Sequence, residues 1–323
     1  MKTVGEVGER ALIAMFTEAA KSGPGDVVIG SGDDAAVFVP SGPVVVSTDT
    51  AVAGRHFRFD WSSPRQIGAR AVVQSAADIA AMGGVPTGIV VSIGCPPSTP
   101  VERVLELNAG IVAQSHAYGA RVLGGDLVSS AEVILTVTSL GVLDGTAAVA
   151  LSGARVGDVL AISGPLGGPA GGLAALAVVE HGADRALLDR FSSLVGDYRL
   201  PQPDLSQGRI AAVAGAHAMT DVSDGLVEEL ITLSAASLVR LDVDSSRVPR
   251  AAGLIELGAA LGVDPLRWVL GGGEEHQLLA SFAPDTVPAG WTVIGAVSEG
   301  APGGWVDGDP VGEIRGWQSF TDT

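Results

Sequence analysis

Val44-Val45-Val46-Ser47-Thr48-Asp49-Thr50 sets a β-type apolar run directly before a carboxylate, and Val122-Leu123-Gly124-Gly125-Asp126 repeats the arrangement. Runs rich in β-branched residues read as strands. An acidic residue following such a run is expected at a strand end, where an open α/β sheet builds its sites. Three more acidic motifs lie outward from these: Gly32-Asp33-Asp34, Asp221-Val222-Ser223-Asp224-Gly225 and Gly272-Gly273-Glu274-Glu275. With Asp78 they make a set of hard oxygen ligands that has no Cys or His cluster beside it. That donor set suits Mg²⁺, which recruits a few carboxylates together with substrate phosphates. The residues therefore point to an enzyme that handles phosphates.

Composition narrows the classes. A chain of 323 residues that is 47% apolar suffices for about two domains, each with a buried core. The net charge of −17 repels nucleic acid and anionic membrane, so neither is an expected partner, and an anionic substrate needs bridging cations. The lone Cys95 excludes an internal disulfide framework. No basic segment followed by an apolar core opens the chain, so a cytoplasmic location is expected. The longest strongly apolar stretches, such as Gly88 to Cys95, fall far short of the roughly 20 residues that span a bilayer. Lysine occurs only as Lys2 and Lys21, which leaves none for a Walker-type loop, a kinase strand lysine or a Schiff base. The Gly-rich run from Ser163 to Gly172 either brings backbone N–H groups to a phosphate at a helix start or is a plain strand-to-helix turn.

Apolar spacing predicts a helix over 6–21, stopped by Ser22-Gly23-Pro24, then strands at 27–29, 35–39 and 43–48. An Ala-rich helix opens after Ser62-Ser63 and runs from 64 to 82, with Asp78 inside it. A strand at 87–93, a helix near 100–118 and strands at 121–123 and 132–142 complete a first α/β unit. The second opens on Gly157-Asp158-Val159-Leu160-Ala161-Ile162, a turn into a strand, and continues with a helix over 170–181 and a polar, loop-rich connection across 182–203. Helices near 204–215, 225–236 and 251–262 then alternate with strands at 217–220 and 239–243, and strands at 277–282 and 291–297 follow. The domain boundary is expected between 148 and 149, giving domains of 1–148 and 149–323.

The motifs have an order as well as a chemistry. Gly32-Asp33-Asp34-Ala35-Ala36, Ser47-Thr48-Asp49-Thr50 with Gly54-Arg55-His56-Phe57, Asp78-Ile79-Ala80-Ala81-Met82-Gly83, Gly124-Gly125-Asp126, Ser152-Gly153-Ala154, Asp221-Val222-Ser223-Asp224-Gly225 and Gly272-Gly273-Glu274-Glu275 follow one another over most of the chain. This succession resembles thiamine-monophosphate kinases, within the aminoimidazole ribonucleotide synthetase-like superfamily. The resemblance implies a two-domain α/β fold with mixed sheets, the N-terminal domain's strands pairing across a homodimer. It implies ATP-dependent phosphorylation of thiamine monophosphate to thiamine diphosphate, with several Mg²⁺ ions as cofactor and ATP as co-substrate. By motif position it implies metal ligation by Asp34, Ser47, Thr48, Asp49, Asp78, Asp126, Asp221 and Asp224. Gly125, Asp126 and Ser223 fall where that family contacts nucleotide, and His56, Glu274 and Trp317 where it contacts thiamine monophosphate.

Read singly, each residue has a plainer alternative: Asp78 a solvated surface carboxylate, His56 a half-buried histidine, Glu274-Glu275 a solvated turn, Trp317 a cover for the core. Leu151 stands where the resemblance leads one to expect a nucleotide-binding Arg, Asn108 where an aromatic is expected, and His276 where a Tyr is expected. Two rivals stay open. One is another enzyme of the superfamily, although Cys95 is far from the N-terminus and the chain ends Phe320-Thr321-Asp322-Thr323, without the cysteines those activities resemble needing. The other is a non-catalytic sensor of nucleotide or thiamine phosphate.

Overall fold

The structure, a computed structural model, describes residues 2–21, 23, 27–31, 34–312 and 314–317. Gly32 and Asp33, the breaker residues Ser22 and Pro24, and the terminal Phe320–Thr323 lie outside the described residues. The chain divides into two compact units, one of residues 1–79 and 84–145, the other of residues 80–83 and 146–323.

The first unit contains α1 (Val4–Val7), α2 (Glu9–Ala20), β1 (Val27–Ile29), β2 (Val37–Phe38), β3 (Val44–Val52), α3 (Pro64–Ala81), β4 (Val85–Cys95), α4 (Val101–Ala117), β5 (Arg121–Ser129) and β6 (Ile134–Val142). The single helix expected over 6–21 is two. A capping box between Thr3 and Glu6 starts α1 early, and Gly8, at φ +82°, separates it from α2. A four-stranded sheet runs in the order β3-β6-β4-β5, antiparallel except for the parallel β4–β5 pair. Strand alternation gives it two distinct faces. Leu135 and Val137 of β6 and Ile89, Val91 and Ile93 of β4 are buried, joining Val104, Leu107 and Ile111 of α4 in one core. The other face presents Val44, Val46 and Val90 exposed and Thr48, Thr50, Thr136 and Thr138 in two hydrogen-bonded pairs.

The acidic motifs of this unit do not stand at strand ends. Asp49 is the sixth residue of the nine in β3, and Asp126 the sixth of the nine in β5. Gly124-Gly125 looks like a stop in the sequence, yet β5 runs through it because the pair lies in register with Val90 and Val91 of β4. A Cβ on Gly125 would stand 2.0 Å from the Val91 carbonyl oxygen, so this pairing tolerates no side chain there.

The second unit contains β7 (Val159–Ile162), α5 (Gly168–Glu180), α6 (Ala186–Arg190), α7 (Ser192–Arg199), α8 (Ser206–Val213), β8 (Ala218–Asp221), α9 (Leu226–Ser237), β9 (Arg240–Val243), α10 (Leu254–Leu261), α11 (Leu266–Gly271), β10 (Leu278–Phe282), β11 (Thr292–Ser298), β12 (Gly303–Val306) and β13 (Asp309–Pro310). Its seven strands form a sheet in the order β13-β12-β9-β11-β7-β10-β8. Among the described residues, only β12 and β9 pair in parallel. Every residue of β10 is buried, which places the core along this strand.

The expected loop across 182–203 is instead largely helical, as α6 and α7. Phe191, Leu194, Val195 and Tyr198 are all buried, and their spacing is that of one helical face; Pro201 and Pro203 come only after the helix has ended. Helix α11 and strands β12 and β13 were not anticipated. Among the described residues, no helix is long and apolar enough to cross a membrane.

Candidate active site

In the first unit, β3 sorts its polar residues by parity. Ser47 and Asp49 share one side of the strand, and the Ser47 hydroxyl donates to Asp78 Oδ2 on α3. Thr48 points to the other side, where its hydroxyl meets Thr138 Oγ1 at 3.0 Å. Asp78 is no solvated surface carboxylate: most of α3 is buried around it, and Asp78 itself is half-buried beside β3. The proposed ligand triplet at 47–49 is thus split by the pleat, with two side chains toward Asp78 and one away.

On the face that carries Thr48, a cleft of about 620 Å³ is lined by Asp34, Ser92, Gly124, Gly125, Asp126, Thr136 and Thr138, with Ile13 and Thr17 of α2 at its border. Asp126 is exposed there; its Oδ1 accepts the Leu127 N–H at 3.0 Å. The cleft has the size of a nucleotide site. Beyond β3, Gly54 at φ +81° turns the chain so that His56 Nδ1 accepts the Val52 N–H at 3.1 Å. A neutral ring then carries its proton on Nε2, as a donor suited to an anionic group.

The second unit builds its part from two loops. Asp221 ends β8, as a strand-end carboxylate should, and pairs in register with Leu278 of β10, bringing residues 221–225 against 272–276. The loops touch by backbone: Glu274 N–H donates to Ser223 O at 2.8 Å and His276 N–H to Val222 O at 3.0 Å. A Cβ on Gly273 would stand 2.2 Å from Ser223 O, so the Gly-Gly sequence is a packing requirement. Glu274 and His276 both adopt left-handed backbone, at φ +70° and +53°. Trp317 N–H donates to Asp224 O at 3.0 Å, so the chain lies along this loop, with the indole 41% exposed.

Electrostatics distinguish the second loop pair. Burial, then the negative charges of Glu274, Asp221 and Glu228, raise the Asp224 pKa. Glu229, buried on α9, is pushed up to about 7, by burial first and the Asp221 charge second; its Oε1 accepts the Asp224 N–H at 3.3 Å. Glu275 is pushed up to about 8 by burial. Its Oε1 accepts the Gly167 N–H at 2.6 Å, so the Gly-rich run at the start of α5 is met by the protein's own carboxyl. His276, at the position where a Tyr was expected, holds Asp221 through Nδ1 at 2.9 Å.

The sequence names Glu275 only within its acidic motif and His276 only as a departure from the resemblance, and Glu229 was missed as a group that shapes the site. Glu229 had a signal, five residues past Asp224 on the first turns of the helix after Asp-Gly; the other two owe their role to burial. Leu151 leaves its carbonyl to Ser237, and Arg155 is exposed nearby. Among the described residues, no three Asp, Glu, His or Cys side chains surround one point fit for a metal ion. The donor chemistry nevertheless fits a divalent cation: the groups are oxygen acids, and beside burial the negative charges of neighbouring carboxylates raise Asp224 and Glu229, a repulsion of the kind a cation relieves.

Residues 32–143 match AIR synthase related protein, N-terminal domain, and residues 155–287 match AIR synthase related protein, C-terminal domain. The fold is thus of the AIR synthase related class, a mixed-sheet α/β unit followed by a second. Within that class the chain is 42% identical to the thiamine-monophosphate kinase of Mycobacterium tuberculosis H37Rv, covering 98% of this chain and 93% of the relative. It is 40% identical to that of Corynebacterium glutamicum, covering 92% and 88%. The solved structure of AaThiL complexed with AMPPCP and TMP superposes with a TM-score of 0.79 at 28% identity, covering 99% of both chains. The chain belongs to the thiamine-monophosphate kinase family.

Proposed function

We propose that this protein transfers the γ-phosphoryl group of ATP to thiamine monophosphate, giving ADP and thiamine diphosphate. The observation that carries the proposal is the near-full-length identity of 42% to a thiamine-monophosphate kinase, and the acidic loops and the cleft support it. The acceptor is a phosphate monoester with a second pKa near 6, so at neutral pH it is mostly a dianion and needs no general base. The obstacle is charge: two unit charges at about 4 Å repel by roughly 4 kcal/mol at an effective dielectric of 20, multiplied over several pairs.

In the first unit Asp34, Ser47, Asp49, Asp78 and Asp126 would hold Mg²⁺, and in the second Asp221 and Asp224; the Thr48 hydroxyl faces Thr138, on the other side of β3 from Ser47 and Asp49. The chemistry Mg²⁺ supplies when bound is neutralisation of both phosphate groups. Gly125, Asp126 and Ser223 hold the nucleotide, Gly125 through close backbone approach. His56 donates to the phosphate of thiamine monophosphate, and Glu274 and Trp317 contact its thiamine portion. Glu229 positions the Ser223-Asp224 loop through the Asp224 N–H.

Thiamine diphosphate formed from ATP, Mg²⁺ and thiamine monophosphate tests the assignment, with Asp49→Ala and Asp126→Ala beside the wild type. Loss of product by at least about a hundredfold in both variants, and its abolition by EDTA, is the expected outcome. No product from folded, Mg²⁺-supplied wild type sinks it and favours a sensor of nucleotide or thiamine phosphate.

The active form is a cytoplasmic homodimer paired through β3. This nine-residue strand stands at the sheet edge, with β6 as its one sheet neighbour among the described residues, and its own Val44 and Val46 are exposed. Long apolar edges invite pairing with another strand. Light scattering should give twice the 32.4 kDa chain mass, and Val46→Glu should shift it toward the monomer; a wild-type monomer at micromolar concentration overturns the dimer.

A further inference from the structure

Residues 314–317 lie across the end of α11 and the loop before α9, and a side chain of α9 holds them there. Glu228, on the first turn of α9, accepts the Gly316 N–H through Oε1 at 3.0 Å, and the Arg315 guanidinium stands 3.7 Å from the same oxygen. Around that bond, backbone meets backbone. Trp317 N–H donates to Asp224 O at 3.0 Å. A Cβ on Gly316 would stand 1.9 Å from Asp224 O, and one on Gly271 would stand 2.8 Å from Ile314 Cγ2 and 2.9 Å from Arg315 O. Two glycines thus admit the segment, and Glu228 fastens it. The Glu228 backbone is itself fixed, its N–H bonding Gly225 O at 3.0 Å and its carbonyl accepting the Thr232 hydroxyl at 2.9 Å. Arg315, 57% exposed, adds a solvated ion pair of small worth, whereas a carboxylate that accepts a backbone N–H makes one of the stronger hydrogen bonds.

We propose that Glu228 is a positioning residue for thiamine monophosphate: by fastening Gly316 it keeps Trp317 at the loop where the thiamine portion of the substrate is contacted. The inference rests on the kinase reading and deepens it. An aromatic side chain on an unfastened segment must be ordered each time a ligand binds, and that ordering is subtracted from the affinity. A segment already held by its backbone loses little on binding, so the exposed indole meets the ligand in place. An acid on the first turn of a helix also has a plainer use, favouring the positive end of the helix dipole. That use asks nothing of a residue 88 positions further along the chain, yet the carboxylate is directed at the Gly316 N–H. Glutamine at 228 keeps an acceptor for that N–H and gives up the charge, whereas alanine gives up both, so the pair separates the fastening from the dipole.

Steady-state turnover, calorimetric titration with a non-hydrolysable ATP analogue and trypsin digestion of wild type, Glu228→Ala and Glu228→Gln test this, beside melting curves. Trypsin cuts after arginine, and the N–H of the Arg315–Gly316 bond is the group Glu228 holds, so cleavage there, followed by mass spectrometry, reads the fastening without turnover. Glu228→Ala should raise the KM for thiamine monophosphate about tenfold or more and speed that cleavage by a similar factor. Affinity for the ATP analogue should stay within about twofold, and kcat should fall by less than about threefold. Glu228→Gln should lie within about threefold of wild type in both KM and cleavage rate. A KM in Glu228→Ala within about twofold of wild type overturns the inference. So do equal effects of alanine and glutamine, or a Glu228→Ala protein that melts several degrees lower and loses both ligands alike, the mark of a purely structural residue. A wild type that makes no thiamine diphosphate sinks the kinase reading and this inference with it, whereas a wild type that turns over while Glu228→Ala keeps its KM sinks this inference alone.

Discussion

The two units present their carboxylates in opposite ways. In the first, Asp49 and Asp126 project from the middle of strands onto different faces of one sheet, and their positions follow from strand parity. In the second, Asp221, Asp224, Glu229 and Glu275 are packed behind loops whose backbones interlock through glycine, and burial raises the pKa of the last three. On the sheet Asp126 is exposed and Asp49 is half-buried. A buried loop cluster must instead hold its charges against their own repulsion, and a cation then stabilises it most. In the second unit burial, and after it the charge of neighbouring carboxylates, raises the pKa of Asp224 and of Glu229.

The largest expected effect breaks the backbone contacts on which each arrangement depends. Gly125→Ala and Gly273→Ala would drive a Cβ to 2.0 and 2.2 Å from the Val91 and Ser223 carbonyl oxygens. Each should lose about 1–3 kcal/mol or more of stability and nearly all activity, read by melting and product formation. If Gly273→Ala melts and turns over like wild type, interlocking does not hold the second site.

The intermediate effect probes the buried charge. The folded pKa of Glu275 is raised from 4.5 to about 8, so the fold prefers it neutral. Its favourable contribution is intact below about pH 4.5, falls as pH climbs, and levels off above about 8. Glu275→Gln keeps an acceptor for the Gly167 N–H and cannot ionise. The melting temperature of the variant should therefore gain on wild type steadily between about pH 5 and 8; parallel profiles would remove the buried-charge contrast between the units.

The smallest effect tests parity in the first unit. Ser47→Ala removes the hydroxyl that donates to Asp78, whereas Thr48→Val removes a contact with Thr138 on the far face. Activity should fall about tenfold or more in the first and clearly less in the second, with stability changed by under about 1 kcal/mol in each. Equal losses would mean that the pleat does not sort these residues.

Much of this was legible in residue order. The Ala-rich helix from 64 and the Val-rich strands announced themselves by period, and parity alone separates Ser47 and Asp49 from Thr48 once β3 is recognised. The helical spacing of Phe191, Leu194, Val195 and Tyr198 was equally available, but polar neighbours and two later prolines masked it. The course of β5 was not legible, since Gly124-Gly125 looks like a break until the Val91 carbonyl is seen against it. Neither was Glu275, which differs from Glu274 next to it by its burial and by the Gly167 N–H it accepts.

The sequence by itself determined the chemistry: oxygen ligands in a recurring order, no lysine for other phosphate chemistries, and the resemblance they carry. Those facts depend on which side chains exist and in what succession, and no folding is needed to state them. Only the tertiary structure decided which carboxylates are desolvated and which face of the sheet each one takes. Desolvation and hydrogen-bond satisfaction are properties of neighbours distant in sequence, and those neighbours meet only when the chain is folded.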